Sequence, residues 1–540
     1  MTPGKELLYL SLGGSGEIGM NLNLYGCDGQ WLIVDMGVTF GNADYPGIDI
    51  IMPDTAFIEE RRRDLAGILL THAHEDHIGA VAYLAADLDV PVYANRFTAG
   101  LVARKLAEEG LEKQVRLEIV ANDARFKLGP FAIRMIPLAH SIPDMCAAVI
   151  DTPYGRIFHT GDWKLDADPE LGVPDAEDCV RPVGDEGVLA LVCDSTNVFN
   201  PEPSGSEGGV RDGLLQVVKE ATGRVIVTTF ASNAARLATL GEVARKSGRT
   251  LAVAGRSLDR IIEVARTCGY LKDFPETVDW DTAMRMPRDR VMIIATGGQG
   301  EPRAALARIA EGNHPIKLER GDRVVYSSKQ IPGNELAIGR IMNMLAERGI
   351  ETVTEKQAHI HVSGHPGRPE LAAMYDWVRP RIIIPVHGEM RHMLEQARFA
   401  KSCGIPEAVV QKNGQLVRLA PGEPAIIDHV RAGRLILDGD MITPADGSAI
   451  NERRRLAQTG HVVVALRKGE ADVVARGLPI EAEDMGAFVA EAGAAAESAA
   501  RSTPKPADKH REAIRLAVRR CATEWTGKKP LVDVLLFGEA

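Results

Sequence analysis

The segment Ile68-Leu69-Leu70-Thr71-His72-Ala73-His74-Glu75-Asp76-His77 constrains this chain more than any other. A short apolar run, which reads as a buried strand, ends in four metal-ligand side chains within six residues. His72 and His74 alternate, so on extended backbone they face the same way. Asp76 and His77 follow where the chain turns toward a helix over Ile78 to Leu84. A lone His-x-His is usually a surface feature. Burying three imidazoles and a carboxylate without partners is costly, however, and metal binding resolves that cost. Two nitrogen ligands followed by a carboxylate and a third imidazole can serve two neighbouring metals. The HExxH helix of the zincins is excluded, because His77 follows His74-Glu75 at the wrong spacing.

Other strand ends repeat the theme. Trp31 to Val34 runs into Asp35, and Phe131 to Ile136 leads to His140. The hairpin of Ala147 to Thr152 and Arg156 to Thr160 delivers Asp162, and the apolar Gly187 to Cys193 delivers Asp194. Singly, each is a turn or capping residue. Together they describe a site on the edge of a layered α/β sheet. His159 precedes the Gly161-Asp162 pair and suits a structural hydrogen bond instead. The glycine run Gly13-Gly14-Ser15-Gly16-Glu17-Ile18-Gly19 is followed by alternating Asn21 to Tyr25, so it opens a β-hairpin rather than a phosphate-binding helix.

From about Gly205 the pattern becomes βα-alternating, which predicts a parallel sheet. A second histidine cluster follows, with His359, His361 and His365, and then the strand Arg381 to Val386 ends at His387. Beyond it, His461 to Leu466 and Ala471 to Arg476 read as strands and Met485 to Ala500 and Lys509 to Thr523 as helices. Ser502 to Pro506 reads as a loop and Leu531 to Phe537 as a last strand.

At 540 residues the chain is long enough for two or more domains. Its 63 basic against 74 acidic side chains, a net −11, argue against unspecific charge-driven binding to nucleic acid, though not against a local basic channel. Candidates for such a channel are Arg61-Arg62-Arg63, Lys329, Arg519 and Arg520, all of which also suit solvated faces. Seven scattered cysteines without a CxxC suit a reducing compartment. With no leader-like N-terminus and no membrane-spanning run, a cytoplasmic protein is expected.

His72-x-His74-x-Asp76-His77, His140 and Asp162 in a Thr-Gly-Asp context resemble the metallo-β-lactamase superfamily. The insert between Asp194 and His387 resembles the β-CASP module of nucleases in that superfamily. More narrowly, Gly13 to Gly19, Phe230-Ala231-Ser232-Asn233, Gly297-Gly298-Gln299-Gly300-Glu301-Pro302, Ile331-Pro332-Gly333-Asn334-Glu335 and Ser363-Gly364-His365 resemble the bacterial ribonuclease J family.

The resemblance implies an α/β fold: an αββα metallo-β-lactamase sandwich with an inserted βα-alternating β-CASP domain and a small C-terminal αβ domain. It places the first part of the sandwich at 1–207, the insert at 208–355, the return segment at 356–445, a linker at 446–460 and the C-terminal domain at 461–540. It implies that His72, His74 and His140 hold one divalent metal, that Asp76, His77 and His387 hold another, and that Asp162 bridges. Zinc suits this N/O set, with manganese or magnesium as alternatives for activity. It further implies catalytic roles for Asp194, His365 and Asp76, a supporting role behind the metals for Asp35, and an RNA 5′-phosphate pocket of Ser232, His361, Ser363, Gly364 and His365.

The expected activity is a metal-dependent ribonuclease. It would work 5′ to 3′ with preference for 5′-monophosphorylated single-stranded RNA, with added endonuclease activity, in RNA processing and decay. A homodimer or homotetramer, also within an RNA degradation assembly, is the expected form. A DNA nuclease of the same superfamily is the alternative, because the contacts that read a 2′-hydroxyl are invisible in spacing. A small-molecule thioester or lactam hydrolase would explain the first metal motif but not the insert.

Overall fold

The structure, a computed structural model, describes residues 5–173, 176–331, 333–503 and 507–537. Pro332, and Pro504 to Pro506 of the expected loop, lie outside the described residues. The chain forms two compact units, Met1–Thr39 with Met52–Gly433, and Phe40–Ile51 with Arg434–Ala540.

Two sheets make the heart of the first unit. An eight-stranded sheet runs from Ala425–His429 at one edge through Leu7–Gly13, Gln30–Val34 and Leu65–Leu69 to Leu117–Ile119. A seven-stranded sheet runs from Arg125–Leu128 through Phe131–Pro137, Ala190–Asp194 and Ile382–Val386 to Glu407–Ala408. Tyr9, Tyr25, Leu32 and Leu69 of the first pack with Phe131, Ile133, Ile150 and Ile384 of the second, all nearly devoid of solvent contact. Each such large apolar side chain contributes about 1.5–3 kcal/mol by leaving water.

Ala190–Asp194 and Ile382–Val386 pair in parallel and are buried along their whole length, which is why they read as continuous apolar runs. On the far face of this sheet, Val180, Leu371, Met374 and Ala400 bring in the helices Ala176–Asp185, Arg368–Val378 and Met390–Ser402. Helix Arg96–Glu108, with Phe97, Val102 and Leu106 buried, lies against Val92–Ala94 and Leu117–Ile119 of the other sheet. Helix, sheet, sheet, helix is the αββα sandwich expected.

Between Asp194 and Ile382 the chain builds a separate six-stranded parallel sheet. Its spatial order is Thr277–Val278, Thr250–Ala254, Val291–Ala295, Val225–Thr228, Arg323–Tyr326 and Glu351–Val353. Within the second unit, His461–Arg467 pairs antiparallel with Glu470–Arg476 and parallel with Leu531–Phe537. Val462, Val464 and Val532 of that sheet pack on Phe488, Ala492, Ile514 and Val518 of helices Met485–Ser502 and Ala507–Thr526.

Three local features differ from the sequence reading. The helix expected from Ile78 splits at Gly79-Ala80 into Glu75–Ile78 and Val81–Leu88, so Asp76 and His77 sit on a single turn of their own. The stretch read as a linker carries helix Ser448–Thr459. Gln415–Ala420 and Ala425–His429 form strands without an obvious alternating signal, because Gln415–Ala420 completes the sheet beside Leu7–Gly13 from the other end of the chain.

Candidate metal centre

The single turn Glu75–Ile78 is held by the loop after Gln30–Val34. Met36 N–H donates to His77 O, Val38 N–H to Glu75 O and Asn21 N–H to Asp76 O, at 2.7 to 3.0 Å. Gly37 lies so close that a Cβ there would stand 1.7 Å from Asp76 O. Asp35, which enters this loop at φ 67°, accepts from Thr71 N–H at 2.8 Å, from the Thr71 hydroxyl at 2.9 Å and from His77 Nδ1–H at 2.7 Å. It thus touches residues on both sides of the histidine segment.

Three imidazole nitrogens converge. His74 Nδ1 is 3.1 Å from both His72 Nε2 and His140 Nε2. The outer nitrogens explain which face turns inward. His140 Nδ1–H donates to Gly364 O at 2.7 Å. The Thr71 hydroxyl gives its one proton to Asp35 and so accepts from His72 Nδ1–H at 3.0 Å. Both inward nitrogens therefore carry lone pairs. Burial, reinforced by neighbouring imidazoles, holds His72 and His140 well below the ordinary histidine range, and burial lowers His74 to about 4. Neutral imidazoles facing one another are the donor set a cation needs.

Asp76, His77 and His387 make a second cluster. His387 Nε2 lies 2.9 Å from Asp76 Oδ2 and His77 Nε2 3.8 Å from the same oxygen. Asp162 Oδ2 stands between the clusters, 3.2 Å from His77 Nε2 and 3.8 Å from His72 Nε2. Its Oδ1 is buried and makes no hydrogen bond. Burial alone would raise the carboxyls of Asp76 and Asp162, but the histidines outweigh it and hold both well below the usual range. For His77 and His387 burial works downward and is outweighed by Asp162 and its fellow carboxylates, so both are pushed up. The two donor sets, one nitrogen-rich and one with two carboxylates, share Asp162 and fit two divalent ions.

His365 stands beside them. Its Nδ1–H donates to Asp194 Oδ2 at 2.7 Å, and its side chain is 24% exposed where Asp194 is buried. Burial would lower this imidazole, yet Asp194 outweighs it and pushes it up.

The glycine run near the N-terminus serves the same centre. Ser15–Gly16 pairs with Gly388–Glu389, and His387 N–H donates to Gly14 O at 2.7 Å. His159 takes a structural place, with Nδ1 2.8 Å from the Tyr25 hydroxyl.

Of the residues implied for the phosphate pocket, Gly364 bonds His140, and Ser363 Oγ accepts from His365 N–H at 3.1 Å. Ser232 is half-buried just before helix Ala234–Ser247, whose Ala235 N–H donates to Ser141 O beside His140. His361 is half-buried, with a buried Nδ1 that has no hydrogen bond. Arg61 folds onto the Phe57 ring at 4.1 Å, while Lys329 and Arg520 are exposed.

Sequence reasoning overlooked Asn21, whose Nδ2 is 3.1 Å from His77 Nε2, and Thr196, whose hydroxyl donates to His387 O at 2.8 Å. Thr196 follows Asp194 by two residues, which was the available signal; Asn21 reads only as a strand residue.

Comparison with known proteins agrees with this arrangement along the whole chain. "Ribonuclease J, beta-CASP domain" matches residues 222–345 and "Beta-lactamase superfamily domain" residues 45–180. "Zn-dependent metallo-hydrolase RNA specificity domain" matches 352–406 and "Ribonuclease J C-terminal domain" 448–537. A protein named Ribonuclease J from Sinorhizobium meliloti is 43% identical over 99% of this chain and 98% of its own length. Those of Mycolicibacterium smegmatis and Thermus thermophilus are 38% and 34% identical, each over 98% of this chain and 96% and 95% of their own. A crystal structure of a protein of unknown function from Enterococcus faecalis shares the fold at a TM-score of 0.54 and 17% identity, covering 76% of this chain and all of the other. With the two donor clusters on the sandwich, the parallel insert behind Asp194 and identity that runs nearly end to end, the chain belongs to the ribonuclease J family.

Proposed function

We propose that this protein is a metal-dependent ribonuclease that degrades single-stranded RNA from a 5′-monophosphorylated end, 5′ to 3′, and also cleaves internally. The observation that carries the reading is the pair of donor clusters sharing Asp162, with the His365–Asp194 pair beside them.

In this reading His72, His74 and His140 would hold one ion and Asp76, His77 and His387 the other, with Asp162 available to both. Zinc fits the imidazole-rich set, and manganese or magnesium are the alternatives for activity. Two bound divalent ions would supply Lewis acidity toward the phosphate. The chain supplies the rest. Asp35 and Thr71 fix the imidazoles in one tautomer. Asp76 stands at the reacting end of its cluster, 28% exposed while its neighbours are closed off. His365, kept protonated by Asp194, gives a proton from Nε2 to the leaving oxygen. Ser232, His361, Ser363, Gly364 and His365 form the pocket for the 5′-monophosphate. Its hydroxyls and backbone groups are donors of the kind that bind one phosphate. Work in the cytoplasm, as a homodimer or homotetramer, completes the reading. Among the described residues no helix is long and apolar enough to cross a membrane.

The test is a 3′-labelled RNA carrying either a 5′-monophosphate or a 5′-triphosphate, with matched DNA, given to the parent and to Asp194→Asn in Mn²⁺ or Mg²⁺. The expected outcome is faster shortening of the monophosphate from its 5′ end, and a loss of about 10²–10⁴-fold in the variant with metal content unchanged. DNA cleaved as fast as RNA would favour the DNA nuclease. No loss of RNA under any metal would sink the reading.

A further inference from the structure

His72 and His74 follow directly from strand Leu65–Leu69, but His140 lies in the loop Leu138 to Met145, which Leu138 N–H closes by donating to Met145 O at 3.1 Å. The loop turns at Asp144, whose φ of 59° is uncommon for a residue with a Cβ. Partners on both sides hold that turn. The Asp144 carboxylate is 7% exposed and accepts from Phe97 N–H at 2.9 Å and from Asn122 Nδ2–H at 2.7 Å, both in the sandwich. Asn95, which caps helix Arg96–Glu108, donates to Asp144 O. The same carboxylate also accepts from the hydroxyl of Tyr270, a residue of the insert.

Tyr270 is placed by the end of its own helix. Arg256–Thr267 stops at Gly269, φ 91°, and Tyr270 N–H returns to Ala265 O at 2.8 Å. The chain leaves the helix there, and the Tyr270 ring meets Phe97 of the sandwich edge to face at 6.1 Å. A second contact from the insert falls on the residue after His140, where Ala235 N–H donates to Ser141 O at 3.2 Å. Neither contact touches the imidazole. Both act on the backbone that carries it, one beside His140 and one at the turn. Asp76, His77 and His387 are held instead by Asn21, Asp35 and Thr196, none of them in the insert.

We propose that Tyr270 is a positioning residue through which the insert completes the donor set of His72, His74 and His140, so that seating of the insert and binding of a divalent ion there strengthen each other. A loop already fixed at Ser141 and Asp144 loses less freedom when its imidazole is drawn to an ion, and linkage makes the effect reciprocal. The inference rests on the two-ion reading and adds to it a dependence of one ion on the insert.

The experiment titrates the full-length protein, stripped of metal, with Zn²⁺ against a competing chelator, as parent, Tyr270→Phe and Arg104→Gln. In Tyr270→Phe the Asp144 carboxylate keeps Phe97 N–H and Asn122, so no buried group is left unpaired. It is expected to weaken one of the two equivalents of Zn²⁺ about 10-fold and leave the other unchanged. Arg104→Gln breaks a different link between sandwich and insert, the pair with Glu263, and should change neither. Zn²⁺ should also slow hydrogen exchange at the Ala235 amide in the parent, and do so less in Tyr270→Phe. A tyrosine that merely stabilised the fold would lower the denaturation midpoint without singling out one ion. Parent-like affinity in Tyr270→Phe, equal weakening of both equivalents, an equal loss in Arg104→Gln, or an Ala235 amide indifferent to Zn²⁺ overturns the inference and leaves the two-ion reading standing. A parent that takes up fewer than two equivalents overturns both.

Discussion

His361 is an imidazole that the fold does not allow to charge. Burial, then the positive field of Arg236 and Lys329, lowers it to about 3, against about 6.5 in an unfolded chain. Between those values the unfolded state binds a proton that the folded state refuses, so stability rises with pH through that window and is lost as pH falls. His361→Asn removes the difference. The variant should lose less of its denaturation midpoint than the parent between pH 7 and pH 5, and equal losses would mean that the imidazole is not held neutral. Elsewhere at this scale, Asp35 and His387 both adopt positive φ, at 67° and 52°, which is uncommon outside glycine. Each stands at the end of a strand that feeds the metal centre, so backbone strain coincides with ligand placement.

Among the elements, the turn Glu75–Ile78 has little margin. It presents two ligands yet is one turn long, too short to be stable alone, and it owes its position to Asn21 and to the loop Asp35 to Val38. Gly37→Ala would force that loop off the turn, because Asp76 O occupies the space of the new methyl. The expected result is a folded protein by circular dichroism with metal affinity reduced about 10- to 100-fold. Full metal content by elemental analysis would show that the turn is held some other way. A comparable latch sits in the insert, where buried Arg236 meets Glu207 through two bonds of 3.0 Å and donates to the carbonyls of Ser327 and Ile360. That latch anchors the start of the segment Ile360 to His365, whose last residue bonds Asp194.

For the whole molecule, the two units have separate cores. Every residue of the metal centre, from Asp35 to His387, belongs to the first. A ligand that binds only the folded state stabilises it by RT ln(1 + [L]/Kd), about 4 kcal/mol at a thousandfold excess over Kd. Calorimetry should therefore show a chelator lowering the transition of the first unit and sparing that of the second. A single transition that moves as one would show that the units unfold together.

Much of this protein is written in short stretches of its sequence. His72 to His77 announce a metal site because ligand spacing on a strand followed by a turn is a local property, and apolar runs ending at Asp194 and His387 mark buried parallel strands for the same reason. Family likeness named the layers before any contact was visible. What tertiary structure alone decided is everything that joins distant segments. Gln415–Ala420 becomes a strand because Leu7–Gly13 offers it an unpaired edge, and the N-terminal glycine run turns out to brace His387. Asn21 and Thr196 became visible as partners of the ligands only when folding brought them together. Spacing along a chain fixes which groups can face one way, but hydrogen bonds between segments hundreds of residues apart depend on how the sheets close.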